Sequence, residues 1–81
     1  MTPADRLWTA IVSGMPRNSW MRLRDICEAV EARLTLDNDD LRPYTPGSRA
    51  PAWKHRVREL LLAPPGNARM EWNRRGSYRR R

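Results

Sequence analysis

Lys54, His55, Arg56 and Arg58 fall within five residues of chain, with Arg49 just ahead of them and Arg74-Arg75 and Arg79-Arg80-Arg81 behind. The chemistry open to such a set is the capture of polyanions. Guanidinium groups donate forked hydrogen bonds to phosphate oxygens and stay charged at any physiological pH. Covalent chemistry is a poorer fit. His55 is the single histidine, and no second ligand type stands at a spacing that would hold a metal with it. Asp25 with Glu28, and Glu28 with Glu31, are carboxylate pairs on what reads as a solvated helix face, with no His or Ser nearby in sequence to complete a general acid–base site. Asp37, Asp39 and Asp40 have the alternation of a calcium loop but lack its Gly and its distal Glu. The expectation is a non-enzymatic chain with no cofactor and no metal.

The charge is distributed unevenly. Residues 1 to 40 carry five Arg against seven Asp and Glu, a balance of −2, whereas residues 41 to 81 carry ten Arg and Lys54 against Glu59 and Glu71, a balance of +9. A basic half of this kind raises the local concentration of a polyanion, nucleic acid first among them. The lone Cys27 excludes an intramolecular disulfide and suits a reducing, cytoplasmic setting; on an apolar helical face it reads as a core residue. No stretch approaches the roughly 20 apolar residues of a membrane span, so no membrane partner is expected.

These residues need elements to position them. Thr2 as N-cap, Pro3 and Asp5 open a helix over about residues 3–13, with Leu7, Trp8, Ile11, Val12 and Met15 on one stripe and Gly14 and Pro16 ending it. Residues 17–21 are too short for a helix and read as a brief strand or extended link. Leu23, Ile26, Cys27, Val30 and Leu34 predict a second helix over about 23–34. Asp37 to Gly47 reads as a loop of about a dozen residues, Ser48 as the N-cap of a third helix holding Trp53, Val57, Leu60 and Leu61 inward, and Pro64-Pro65-Gly66 as its stop. Residues 68–73 and 77–79, joined through Arg74-Arg75-Gly76, predict a β-hairpin. Phe is absent, so the four Trp are expected to supply the bulk of one small core, with Trp20 and Trp72 inside it.

The fold class expected is α+β: three helices, a short strand between the first two, and a C-terminal hairpin. That is the element order of a winged helix-turn-helix, spanning residues 1–78 as one domain with 79–81 as a basic tail. Pro51-Ala52-Trp53-Lys54-His55-Arg56-Val57-Arg58-Glu59-Leu60-Leu61, followed by Gly66, Trp72, Arg75-Gly76 and Tyr78, resembles the small winged-helix domains fused to bacterial restriction endonucleases. Those domains share a Trp-x-x-x-Val-Arg-x-x-Leu helix and a return strand that begins near Arg-Gly-x-Tyr. The resemblance implies DNA binding by the third helix and wing, carried onto Lys54, His55, Arg58, Arg74 and Arg75, and implies no cleavage.

Reading the residues physically leads to the same face. With Trp53, Val57, Leu60 and Leu61 inward, Ala52, His55, Arg56 and Glu59 lie on the opposite side, flanked by Arg49, Lys54 and Arg58. A basic helical face suits the major groove, and Arg74-Arg75 at a wing tip suits backbone or minor groove, with Arg79 adding charge. The expected partner is double-stranded DNA and the expected role that of a small prokaryotic or phage regulator or recognition module, nucleoid-associated in a cell, with a homodimer compatible. The alternatives are RNA binding, and an inhibitor or adaptor whose basic face meets an acidic or nucleic-acid-binding protein.

Overall fold

In the computed structural model, which describes residues 1–64 and 66–81, the chain is an α+β unit of four helices and a three-stranded antiparallel sheet. The order is α1 (Ala4–Gly14), β1 (Met21–Arg22), α2 (Leu23–Glu31), α3 (Asn38–Leu41), α4 (Ala52–Leu62), a 3₁₀ turn (Gly66–Ala68), β2 (Met70–Trp72) and β3 (Ser77–Arg80). No helix among the described residues is long and apolar enough to cross a membrane.

Prolines set several helix limits. Pro16 disfavours helical backbone at Met15, which closes α1 in an extended conformation. Pro51, itself extended, stands at the N-cap of α4 and keeps Ala50 out of the helix, so α4 begins at Ala52. Ser48, expected as its cap, instead turns the preceding loop: its amide donates to the Thr45 carbonyl and its hydroxyl to that of Ala50. Ala63, before Pro64, ends α4 in extended backbone. Pro65, part of the expected helix stop, lies outside the described residues.

The sheet order is β1-β3-β2, so the last strand lies between the first two. Met21 pairs with Tyr78, and Trp72 pairs with Tyr78 from the other side. Met21, Met70 and Tyr78 thereby share the face that meets the helices, where Leu7, Ile11 and Met15 of α1 and its cap, Ile26, Cys27 and Val30 of α2, and Trp53, Val57 and Leu61 of α4 close the core. The core is largely aliphatic. Trp53 alone of the four Trp is fully buried, Trp8 is half-buried against the core, and Trp20 and Trp72 are each 46% exposed. The placement of Trp20 and Trp72 in the core is thus corrected: Trp20 precedes β1 and lies under Arg79, and Trp72, although its pairing with Tyr78 puts it on the core side of the sheet, stands at the end of the short β2 and stays half exposed.

Three further expectations give way. The second helix stops at Glu31, and the chain then tightens so that Leu34 and Leu36 pack against the core. The acidic segment is not loop throughout but a one-turn helix, α3, held by a capping box: the Asp40 amide donates to Asp37 Oδ1 (2.9 Å) and the Asp37 amide to Asp40 Oδ2 (3.1 Å). Residues 79–81 are not a tail. Arg79 and Arg80 continue β3, Arg80 Nη1 donates to the carbonyls of Val12 (3.2 Å) and Met15 (3.1 Å) at the end of α1, and the Arg81 amide donates to the Arg69 carbonyl. Helix ends carry carbonyls without intrahelical partners, and a guanidinium satisfies two at once.

Asp40 is fully buried. Thr2, expected to cap α1, gives it both the backbone amide (3.0 Å) and the hydroxyl (2.6 Å). Arg56 Nη1 lies 3.5 Å from Asp40 Oδ1. Burial alone would push this carboxyl up, but the hydrogen bonds from Thr2 and Asp37 outweigh it and lower the pKa from 3.8 to about 2. A carboxyl depressed in the folded state stabilises fully above its unfolded pKa, so this contribution is complete above about pH 4 and is lost as pH falls towards 2. Asp37, lowered by the Met1 ammonium group, acts in the same direction. Asp40→Asn removes the negative charge opposite Arg56 and sets an NH2 donor among the donors of Thr2 and Asp37, leaving one acceptor oxygen where there were two, and should cost about 3 kcal/mol. Urea denaturation at pH 7, 4 and 2.5 measures both effects: the acid-side loss should be large in the parent chain and much smaller in Asp40→Asn.

Candidate nucleic-acid interface

The outward flank of α4 is basic because Trp53, Val57 and Leu61 are buried, Leu60 and Leu62 pack against the core, and the two residues on the α2 side are Lys54 and Arg58. Both are exposed. With Arg24, Leu23 and Cys27 of α2, and with His55 and Ala50, they line a groove between the two helices of about 330 Å³. The Lys54 ammonium also lies 5.7 Å from the Trp53 ring centroid. Arg58 sits beside the Tyr78 hydroxyl: burial pushes that phenol up, and the neighbouring guanidinium pulls against it. Cys27 at the groove floor is likewise pushed up by burial, which keeps it a thiol.

The hairpin is joined to this groove through backbone. The Leu23 amide donates to the Gly76 carbonyl (3.0 Å), and Arg22 pairs with Ser77 across β1 and β3. The turn between β2 and β3 therefore sits at the N-terminus of α2. Asn73 organises that turn: its Oδ1 accepts from the amides of Arg75 (2.7 Å) and Ser77 (3.1 Å), while its own amide donates to the Ser77 carbonyl. Arg74 adopts a left-handed conformation (φ 62°), which costs a non-glycine residue about 1 kcal/mol, and Gly76 (φ 91°) takes a conformation open only to glycine at low cost. Both Arg74 and Arg75 are exposed.

Arg22 and Arg24 complete the face, and the reading from sequence missed them. Their signal was position: they flank the first residue of α2, a helix start with no side-chain cap, where free amides and positive charge together favour an anion. Arg24 lies 3.7 Å from Asp25, both well exposed, an arrangement that solvent screens heavily.

The other expected residues divide. Arg49 is exposed in the loop beside Ala50. His55 is half-buried and stacked by Tyr44, with ring centroids 4.4 Å apart and planes inclined by 18°, while the Tyr44 hydroxyl donates to Glu59 Oε1 (3.2 Å). The loop before α4 therefore covers part of the outermost helical face. Arg56 is a correction. Its side chain is only 20% exposed and turns towards Asp40, because the buried carboxylate needs a counter-charge more than the solvated face needs another cation. Arg79 is also committed: Nη2 lies 2.6 Å from Glu71 Oε2, and the guanidinium stacks 4.7 Å from the Trp20 centroid on the outer face of the sheet.

Asn73→Ala removes one acceptor oxygen, and with it two hydrogen bonds, from an exposed turn. It should raise the mobility of residues 74–76, read as a fall in the backbone heteronuclear NOE, while costing the fold only about 1 kcal/mol. Rigid amides at 74–76 in the Ala variant would show that the strand ends, not Asn73, hold the turn. No protein-family model matches the chain, no curated protein matches its sequence, and no solved structure matches it.

Proposed function

We propose that the protein is a non-enzymatic binding module for duplex DNA, built as a winged helix in which α4 enters the major groove and the Asn73–Gly76 turn meets backbone or minor groove. The observation that carries this reading is convergence. Arg22 and Arg24 at the start of α2, Lys54 and Arg58 on α4, and Arg74-Arg75 at the turn come from three separate elements, linked by the shared α2–α4 groove and the Leu23–Gly76 hydrogen bond. Cations scattered for solubility need no such junction. The element order with its β1-β3-β2 sheet, and the resemblance over residues 51–78, support the same reading. In it, Arg74 keeps a strained backbone because its side chain faces phosphate. The role that follows is that of a small regulator or recognition module acting at the nucleoid.

Fluorescence anisotropy with a labelled duplex over a range of salt tests this directly. Each phosphate neutralised should contribute about −0.9 to the slope of log K against log salt, so the six cations of the face predict a slope near −5. Lys54→Glu combined with Arg75→Glu should abolish binding at ~50 mM salt without changing the fold. Arg56→Gln should do the reverse, lowering stability with little effect on the slope. Equal binding by the charge-reversed pair would remove α4 and the turn from the interface. Absence of binding to duplex, single-stranded DNA and RNA alike would favour a protein partner instead.

A further inference from the structure

On the flank of α4 away from the basic face, a cleft of about 490 Å³ opens between the start of α1, the second half of α4 and the turn after it. That volume falls in the range of small-molecule sites. Trp8 and Leu60 form apolar walls, with Ala4 and Ala63 at the mouth. Gly66 closes one end by direct backbone packing: a Cβ there would overlap the Leu60 carbonyl and stand 3.3 Å from the Trp8 ring. The 3₁₀ turn Gly66–Ala68 is held to the end of α4 by the hydrogen bond from the Asn67 amide to the Ala63 carbonyl, and closed by that from the Arg69 amide to the Gly66 carbonyl. These contacts fix the Gly66 end of the cleft without a ligand.

Its polar groups are unequal. Glu59 accepts from the Tyr44 hydroxyl and Asp5 from the Arg6 amide, but both remain negatively charged, so within the cleft an anion is favoured only next to Arg69. Arg56 also lines the cleft, but its guanidinium is committed to Asp40: Nη1 lies 3.5 Å from Asp40 Oδ1, without hydrogen-bond geometry. The Arg69 guanidinium makes no hydrogen bond or ion pair among the described residues; it only rests 5.8 Å from the Trp8 ring centroid. An exposed cation–π contact at that distance is weaker than a forked hydrogen bond to a carboxylate, so Arg69 gains by exchanging ring for anion.

We propose that this cleft binds a small planar aromatic carboxylate, its ring against Trp8 and Leu60 and its carboxylate held by Arg69. The apolar walls select a flat hydrophobic body and the unpaired guanidinium selects its charge. The site is separate from the basic face and does not depend on the function assigned to it.

Three probes of one shape decide the matter: 2-naphthoate, the neutral 2-naphthamide and the cationic 2-naphthylmethylamine, each titrated into the full chain while the indole N–H signal of Trp8 is followed by NMR. The naphthoate should shift that signal saturably and bind about tenfold more tightly than the amide, the advantage of one charge-assisted pairing. Arg69→Gln should erase the difference. Ala4→Phe, which fills the mouth from an exposed position, should abolish binding of all three with the melting temperature unchanged. A Trp8 signal that none of the probes moves, an amide or amine that binds as well as the acid, or an unaltered preference in Arg69→Gln would each overturn the proposal.

Discussion

The buried carboxylate of Asp40 is the constraint on which the rest of this small structure depends. It joins Thr2, two residues before α1, to the single turn of α3 and to Arg56 on α4, three segments far apart in the chain. A charge out of water is stable only where several donors converge on it, and Thr2, Asp37 and Arg56 do so here. The cost of leaving any of them unpaired fixes the rotation of α4. Arg56 is turned inward, and Lys54 and Arg58 are left on the α2 flank facing solvent. The most acidic stretch of the chain thus acts as a structural clasp for its most basic helix.

The same logic divides the arginines into two populations. Arg56, Arg79 and Arg80 are tied to Asp40, to Glu71 and to the carbonyls ending α1, and they hold elements together. Arg22, Arg24, Arg58, Arg74 and Arg75 project from a junction of three elements and are available to an external anion. Net charge describes both populations alike. Only the second population, together with Lys54, forms the proposed face, which is narrower than composition implied and includes the start of α2.

The two exposed Trp show how a small domain with few aliphatic layers spends its aromatics. Trp20 lies under the Arg79 guanidinium on the outer face of the sheet, and Trp72 ends the edge strand beside the turn. Neither belongs to the core, which the stripes of α1, α2 and α4 close with Leu, Ile, Val and Met around Trp53 and Tyr78. Trp8 is intermediate, with one side on the core and the other forming a wall of the α1–α4 cleft.

Much of the architecture was legible in the residues themselves. The helical stripes of α1, α2 and α4, the hairpin around Gly76 and the strand before α2 follow from local periodicity and from proline and glycine chemistry, which act over a few residues and need no tertiary partner. The turn of α3 was hidden because Asp37 and Asp40 read as solvated acid until Thr2 and Arg56 arrive from elsewhere. Helical phase placed Arg56 on the outer face, but phase resolves direction only to within a residue's arc, and a partner from another element decided which way it turned. Arg22 and Arg24 became part of the candidate face only when the hairpin docked on the start of α2. The sequence by itself determined which segments are helix or strand and that one half of the chain is cationic, because those properties are local. Which cations remain free was decided by the tertiary structure, because pairing a charge requires a partner that only folding brings within reach.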